Sequence, residues 1–361
     1  MIVADKRGPQ RKRLETVFAG GRPDRTPILG GWIACPRHIC TLAGIDEEQY
    51  WQSPVASSVR AYQVLGADGL VDVFVPKGKD DFRCVDASDY NRAGSSMTLD
   101  EAAAAVDAMP SPDEVEARFD FPAEYAAYRR GLVDRQALCG DVVWMPANWN
   151  AGARLVWYED FGYENFFLLL GLYPERAMKL VAVGGAIGWC QGRLVARAVE
   201  EGLFPRALLF GADICTQRGP MISTAFMNKY YAPALAHGLE PLLRAGCRPV
   251  WHSDGDVRPM VDMLIDCGVQ GFQGFQPECG MRLDHLAKKR TREGGPLLVF
   301  GPLAVTTELP VLCAEEVRAR VRRAVEFCRD RMDLVLFTSN TINPDVPLDN
   351  IRAMHEAARE G

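Results

Sequence analysis

From about residue 206 onward, short apolar runs alternate with segments whose apolar positions recur at helical spacing, and this alternation predicts a succession of strand and helix units. Strands are predicted over Ala207 to Phe210, Pro249 to His252, Gly271 to Phe275, Leu297 to Phe300 and Leu334 to Thr338. Helices are predicted over Thr224 to Ala245, Val257 to Cys267, Asp284 to Lys289, Ala314 to Asp330 and Asp349 to Glu360. Strand followed by helix, repeated in this way, is the pattern of a parallel sheet covered by helices. The first half is less regular. Strands are expected at Leu70 to Val75 and Asp141 to Met145, separated by a helical, acidic and Ala-rich insertion over Thr98 to Arg129. No repeat, low-complexity tract or Gly/Ser linker interrupts the chain, so one domain is expected over 1–361, with about 98–130 as helical decoration.

The length of 361 residues sits within the range of a (β/α)8 TIM barrel carrying insertions, roughly 200 to over 400 residues. The expected architecture is therefore α/β, a TIM barrel with an N-terminal helical extension and a helical insertion in its first half. With 48% apolar and 24% charged residues the chain can bury a large core. A net charge of -6 and a pI near 5.5 argue against a nucleic-acid partner, which leaves a basic footprint. The one basic cluster, Lys6 to Arg13, reads as a solvated helix face. Eleven cysteines, Cys84 among them, show no CxxC spacing and read as reduced thiols of a cytoplasmic protein. Met1 to Glu15 is charged and does not read as a signal peptide. The apolar stretch from Leu180 to Cys190 is short and broken by glycines, so no membrane span is expected.

In a TIM barrel, polar residues just past the strand carboxyl ends point into the site. Four such places carry chemistry here: Asp213 to Ser223 after the Ala207 strand, His252-Ser253-Asp254-Gly255 after the next, Gln276-Pro277-Glu278-Cys279 after the third, and Thr338 to Pro344 after the last. These segments, with the following "LIDCGVQGFQ" and the closing "NPDVPLDNIRAMHEAA", resemble the uroporphyrinogen decarboxylase superfamily from about Arg25 to the C-terminus. That superfamily holds haem-pathway decarboxylases and zinc-dependent, corrinoid-linked methyltransferases. The decarboxylases are known for paired N-terminal arginines that bind porphyrinogen carboxylates, whereas Gly30 to His38 contains the single Arg37. The methyltransferase branch is known for zinc held by His-x-Cys and a third Cys after the last strand; the corresponding positions are His252, Asp254 and Asn340.

What the resemblance implies is a methyltransferase or O-demethylase acting between a small methylated substrate and a corrinoid or other acceptor, with zinc or another divalent metal. Zinc accepts imidazole nitrogen and carboxylate oxygen, and catalytic sites need only three protein ligands. His252, Asp254 and Glu278 are the expected ligands, and with Asp213 the expected catalytic residues. Gln217, Arg218, Asn340, Arg37 and Trp144 are expected at the substrate, with Trp32, Trp149 and Trp157 as further candidates for an apolar wall. No Asp-x-His-x-x-Gly stretch occurs, so a corrinoid would come from a partner protein, and a homodimer is possible within the superfamily.

Each residue also has a plainer reading. His252 could bond a loop, Asp254 could cap the helix near Val257, Glu278 could be solvated, Asp213 could shape a turn, and Asn340 could satisfy one. The remaining histidines, His38, His237, His285 and His355, read as surface or packing residues. Two other functions remain open: a metal-free decarboxylase of a smaller acid, using Asp213 or Arg218, and a ligand-binding barrel without catalysis.

Overall fold

The computed structural model describes residues 8–76 and 97–360. Met1 to Arg7, including Lys6, and Cys84 lie outside the described residues. Eight parallel strands fall in chain order: β1 (Leu29–Gly30), β2 (Gly69–Leu70), β3 (Val143–Trp144), β4 (Ala207–Gly211), β5 (Arg248–His252), β6 (Gly271–Gln273), β7 (Leu298–Leu303) and β8 (Asp333–Thr338). They form two sheets, β1-β2-β3 and β8-β7-β6-β5-β4. The sheets touch at both edges. Leu336 N–H donates to the Pro27 carbonyl at 2.8 Å beside an isolated Ile28 to Leu336 bridge, and Asn148 N–H donates to the Leu209 carbonyl at 3.0 Å.

The expected single eight-stranded ladder is thus divided among the described residues. The first three strands are two residues long, too short to extend the hydrogen bonding. The strand expected over Leu70 to Val75 stops at Leu70 because Asp72 turns to φ 62, outside the β region. The second-half strands agree closely with the sequence pattern. All six residues of β7 and of β8 are buried, as expected of a parallel sheet with both faces covered.

The expected insertion is three helices, Leu99–Ala108, Pro112–Arg118 and Phe121–Cys139, the last running beyond the predicted end. The first two start on reciprocal capping boxes, Thr98 with Glu101 and Ser111 with Glu114. Pro9–Phe18 forms a helix ahead of β1. The glycine-broken apolar stretch lies inside the helix Pro174–Glu200, where absent side chains permit close packing: a Cβ at Gly188 would sit 2.0 Å from the Gly152 carbonyl oxygen. Among the described residues, no helix is long and apolar enough to cross a membrane.

At the amino ends of the strands the expectation of a solvated basic face fails for Arg13. It is only 9% exposed, because its guanidinium reaches inward to the fully buried Asp68 while also pairing with the exposed Asp24. Arg25 binds the same Asp68, and Arg248 pairs with Asp333 at 2.6 Å. The ten described cysteines are free thiols.

Candidate metal and catalytic site

The site lies where β4, β5, β6 and β8 end, on the carboxyl side of the five-stranded sheet. β5 ends on His252, which is opposite Gly211 of β4 on one side and Gln273 of β6 on the other. Asp213 follows β4 by two residues. The turn Ser253-Asp254-Gly255 then carries Asp254 back over the strand end, with Gly255 at φ 84. Asn340 follows β8.

His252 is nearly closed from solvent, with 7% of its side chain exposed. Its Nε2 lies 3.2 Å from Asp213 Oδ1, and its Nδ1 is in close hydrogen-bond contact with Gln273 Oε1. Asp213 Oδ1 also accepts the Asp254 N–H at 3.0 Å, which ties the two loops together. Asp254 Oδ2 accepts from Asn340 Nδ2 at 2.5 Å, whereas Asp254 Oδ1 is buried and has no protein donor. Ligand atoms of Asp213, His252 and Asp254 all lie within 4.8 Å of one another, so this group could hold a metal ion. A buried carboxylate oxygen without a donor is costly unless a cation takes it, which is the test that these residues meet.

The electrostatics follow from burial and mutual charge. Burial opposes the His252 cation, but Asp213, through its charge and hydrogen bond, lifts the ring to about 9. Burial pushes Asp213 up, and the charge and hydrogen bond of His252 outweigh it, leaving Asp213 below its usual range. Asp254 is pushed up to about 6 by burial and then by the charge of Asp213. Two carboxylates crowded around one imidazole therefore favour a positive charge between them. Two indoles wall the ring: Trp149 at 5.5 Å and Trp32 at 5.9 Å between ring centres. Trp149 is 42% exposed and keeps an open face.

Glu278, expected as the third ligand, is not in this group. Its short turn, Pro277–Cys279, leaves it exposed, and its carboxylate accepts from Thr306 Oγ1 at 2.6 Å and Thr307 Oγ1 at 3.3 Å. Asp213 stands in its place, because the direct register of β4 with β5 brings the Asp213 loop against His252. Asn340 lies in the site as a donor to Asp254. Gln217 and Arg218 lie exposed at the tip of a hairpin between Cys215–Thr216 and Gly219–Pro220. Arg37 is exposed on the helix Pro36–Ala43. The Trp144 ring lies under Arg135 of the helix Phe121–Cys139, 5.9 Å from the guanidinium, rather than against His252. Trp157 is likewise covered by Arg154 at 4.1 Å.

No family model matches the chain, and no curated protein matches its sequence. Among the solved structures that match, one covers nearly the whole length of the chain. It is a methyltransferase from Methanosarcina mazei, 14% identical, with a TM-score of 0.63, covering 97% of this chain and 98% of that one. A Listeria monocytogenes protein described as a vitamin-B12 independent methionine synthase overlaps less, with 14% identity and a TM-score of 0.38 over 64% of this chain and 69% of that one. At such identities the first likeness establishes an α/β fold of this type and nothing finer.

Sequence reasoning missed Gln273 altogether. Its signal was available: a polar residue inside the buried strand Gly271–Gln273 needs a partner, and a histidine one strand away supplies it.

Proposed function

We propose that this chain is a methyltransferase moving a methyl group between a small methylated substrate and an acceptor, with zinc or a similar divalent ion held by Asp213, His252 and Asp254. The reading rests above all on the buried, donorless Oδ1 of Asp254 facing a second carboxylate and an imidazole within one ligand sphere. The fold shared with the Methanosarcina mazei methyltransferase supports it, and the backbone hydrogen bonds joining the two sheets at both edges support an eightfold β/α arrangement. When bound, a divalent ion supplies Lewis acidity toward the oxygen leaving group of a methyl ether. The chain's own contribution is a hard donor set of two carboxylates and one nitrogen, suited to an oxygen-bearing substrate rather than a thiol.

Trp32 and Trp149 shape the space beside His252, and the exposed face of Trp149 offers an apolar wall to the methyl-bearing part of the substrate. The acceptor we propose is a corrinoid carried by a separate protein, or another methyl acceptor. Decarboxylation of a small acid is the weaker reading. Among the described residues no Lys or Arg forms an ion pair with Asp213 or Asp254, and Arg37 and Arg218 are exposed, so no guanidinium fork stands in the group to hold a substrate carboxylate.

Elemental analysis of the purified protein with zinc titration tests the proposal. Stoichiometric metal should be present, be lost in His252→Ala and Asp213→Ala, and persist in Glu278→Gln; methyl transfer from an aryl methyl ether to added cob(I)alamin should follow the metal. A protein that takes up no divalent ion and releases carbon dioxide from a small acid would overturn it.

A further inference from the structure

We infer that the methylated substrate is an uncharged aryl methyl ether whose ring is bound along a strip of aromatic side chains, with Phe74 and Trp149 as its specificity-determining ends. This deepens the methyl-transfer reading and rests on it for the methyl group, but not on the metal ion.

The carboxyl ends of the strands divide the mouth in two. The loops after β1, β2 and β3 each bring an aromatic ring, Trp32, Phe74 and Trp149, whereas the ends of β4, β5 and β8 bring Asp213, His252, Asp254 and Asn340. The rings run in series. Phe74 lies 5.9 Å from Trp32, Trp32 5.9 Å from His252, and His252 5.5 Å from Trp149 between ring centres. The successive planes cross at 65°, 80° and 61°, so no ring of the strip is stacked flat on the next. Trp32 is buried, with Phe337 behind it at 4.8 Å, but both ends of the strip are open, with Phe74 37% and Trp149 42% exposed. The backbone beside each open ring is already held: Phe74 N–H donates to the Gly31 carbonyl at 3.2 Å, and Asn148 N–H, next to Trp149, to the Leu209 carbonyl at 3.0 Å. Preset aromatic surface beside a few convergent polar groups is the make-up of a small-molecule site.

Charge selects the substituents that the bound ring can carry. Arginines lie over the rings of Trp144 and Trp157, but among the described residues no Lys or Arg lies over Trp32, Phe74 or Trp149. A carboxylate on the bound ring would lose water against the strip with no cation to answer it. An ammonium would be drawn to the ring faces and to Asp213 and Asp254, yet those carboxylates are committed once a divalent ion is bound. An uncharged methoxyarene meets neither cost: its ring lies on the strip and its oxygen points toward the polar half.

Isothermal titration of the full-length protein tests this, with no methyl acceptor present so that ethers bind without reacting. On metal-free protein, where no ion draws a carboxylate in, meta-methoxybenzyl alcohol should bind about 10-fold more tightly than meta-methoxybenzoate. On Zn2+-loaded protein it should bind about 10-fold more tightly than meta-methoxyphenyltrimethylammonium. Phe74→Ala and Trp149→Ala should each weaken the alcohol roughly 2- to 10-fold and narrow its lead over the benzoate, whereas a general loosening would weaken both alike. Val64→Ala, an exposed apolar side chain on the helix leading into the amino end of β2, should change nothing. If either aromatic variant does not fold, the wild-type comparison of the three probes decides. Equal or tighter binding of a charged probe, unchanged affinity in both aromatic variants, or no binding of the alcohol overturns the inference. Failure to bind zinc refutes the divalent-ion reading, and the metal-free comparison still judges the substrate class.

Discussion

Gly211 and His252 lie opposite each other on neighbouring parallel strands, and a Cβ at position 211 would sit 2.2 Å from the His252 carbonyl oxygen. Gly211 also holds φ 140, which side chains rarely adopt. The contact places the Asp213 loop directly against the imidazole. Gly211→Ala should therefore destabilise the protein by about 2 kcal/mol or more and weaken Zn2+ binding as the two loops separate. Urea unfolding and zinc titration measure both, and an unchanged zinc affinity would show that the loop geometry does not depend on this approach.

At the opposite end of the strands, the fully buried Asp68 accepts from Arg13, from Arg25 at 2.8 Å and from the Ile28 N–H at 2.9 Å. Removing it leaves the buried Arg13 guanidinium with only the exposed Asp24. Asp68→Ala should cost about 3–5 kcal/mol in urea unfolding. A loss below about 1 kcal/mol would mean that solvent reaches Arg13 and screens it.

Burial pushes Asp72 up to about 6, against the opposing Ala147 N–H bond. With its folded value above the unfolded 3.8, its contribution to stability is full below the unfolded value and is lost as pH rises through about 6. Asp72→Asn keeps an acceptor and tolerates the positive φ of 62. The variant should gain on the order of 1 kcal/mol over the wild type at pH 8 and little at pH below about 4. Equal gains at both pH values would assign the effect to something other than ionisation.

His355 is fully buried in the middle of the closing helix Leu348–Glu360, and burial lowers it to about 4, against the opposing bond to the Ile351 carbonyl. Its stabilising contribution is present above the ordinary value of 6.5 and is lost as pH falls toward 4, because the unfolded chain takes up a proton that the folded one refuses. Between pH 7 and pH 4.5 the wild type should lose about 2 kcal/mol through this group, a loss missing from His355→Leu. Parallel urea titrations at the two pH values compare the slopes, and identical slopes would contradict the assignment.

The order of strands and helices in the second half was legible because β4, β5, β7 and β8 are buried runs of five or six residues separated by helices with clear apolar faces. The first half was not, since β1 to β3 are two residues long and no periodicity shows in so short a run. The site was half legible. A histidine and two aspartates following strand ends mark themselves in the sequence, as does the paucity of arginine near the first strand. Which of them meet was decided by tertiary structure alone: Glu278 and Asp213 both follow strands adjacent to His252's, and only the paths of their loops send one to Thr306 and the other to the imidazole. The amide of Gln273 is oriented by carbonyls 65 and 66 residues away. Local pattern fixes which residues form an element, but hydrogen bonds between distant segments choose the face and the atom that each residue presents.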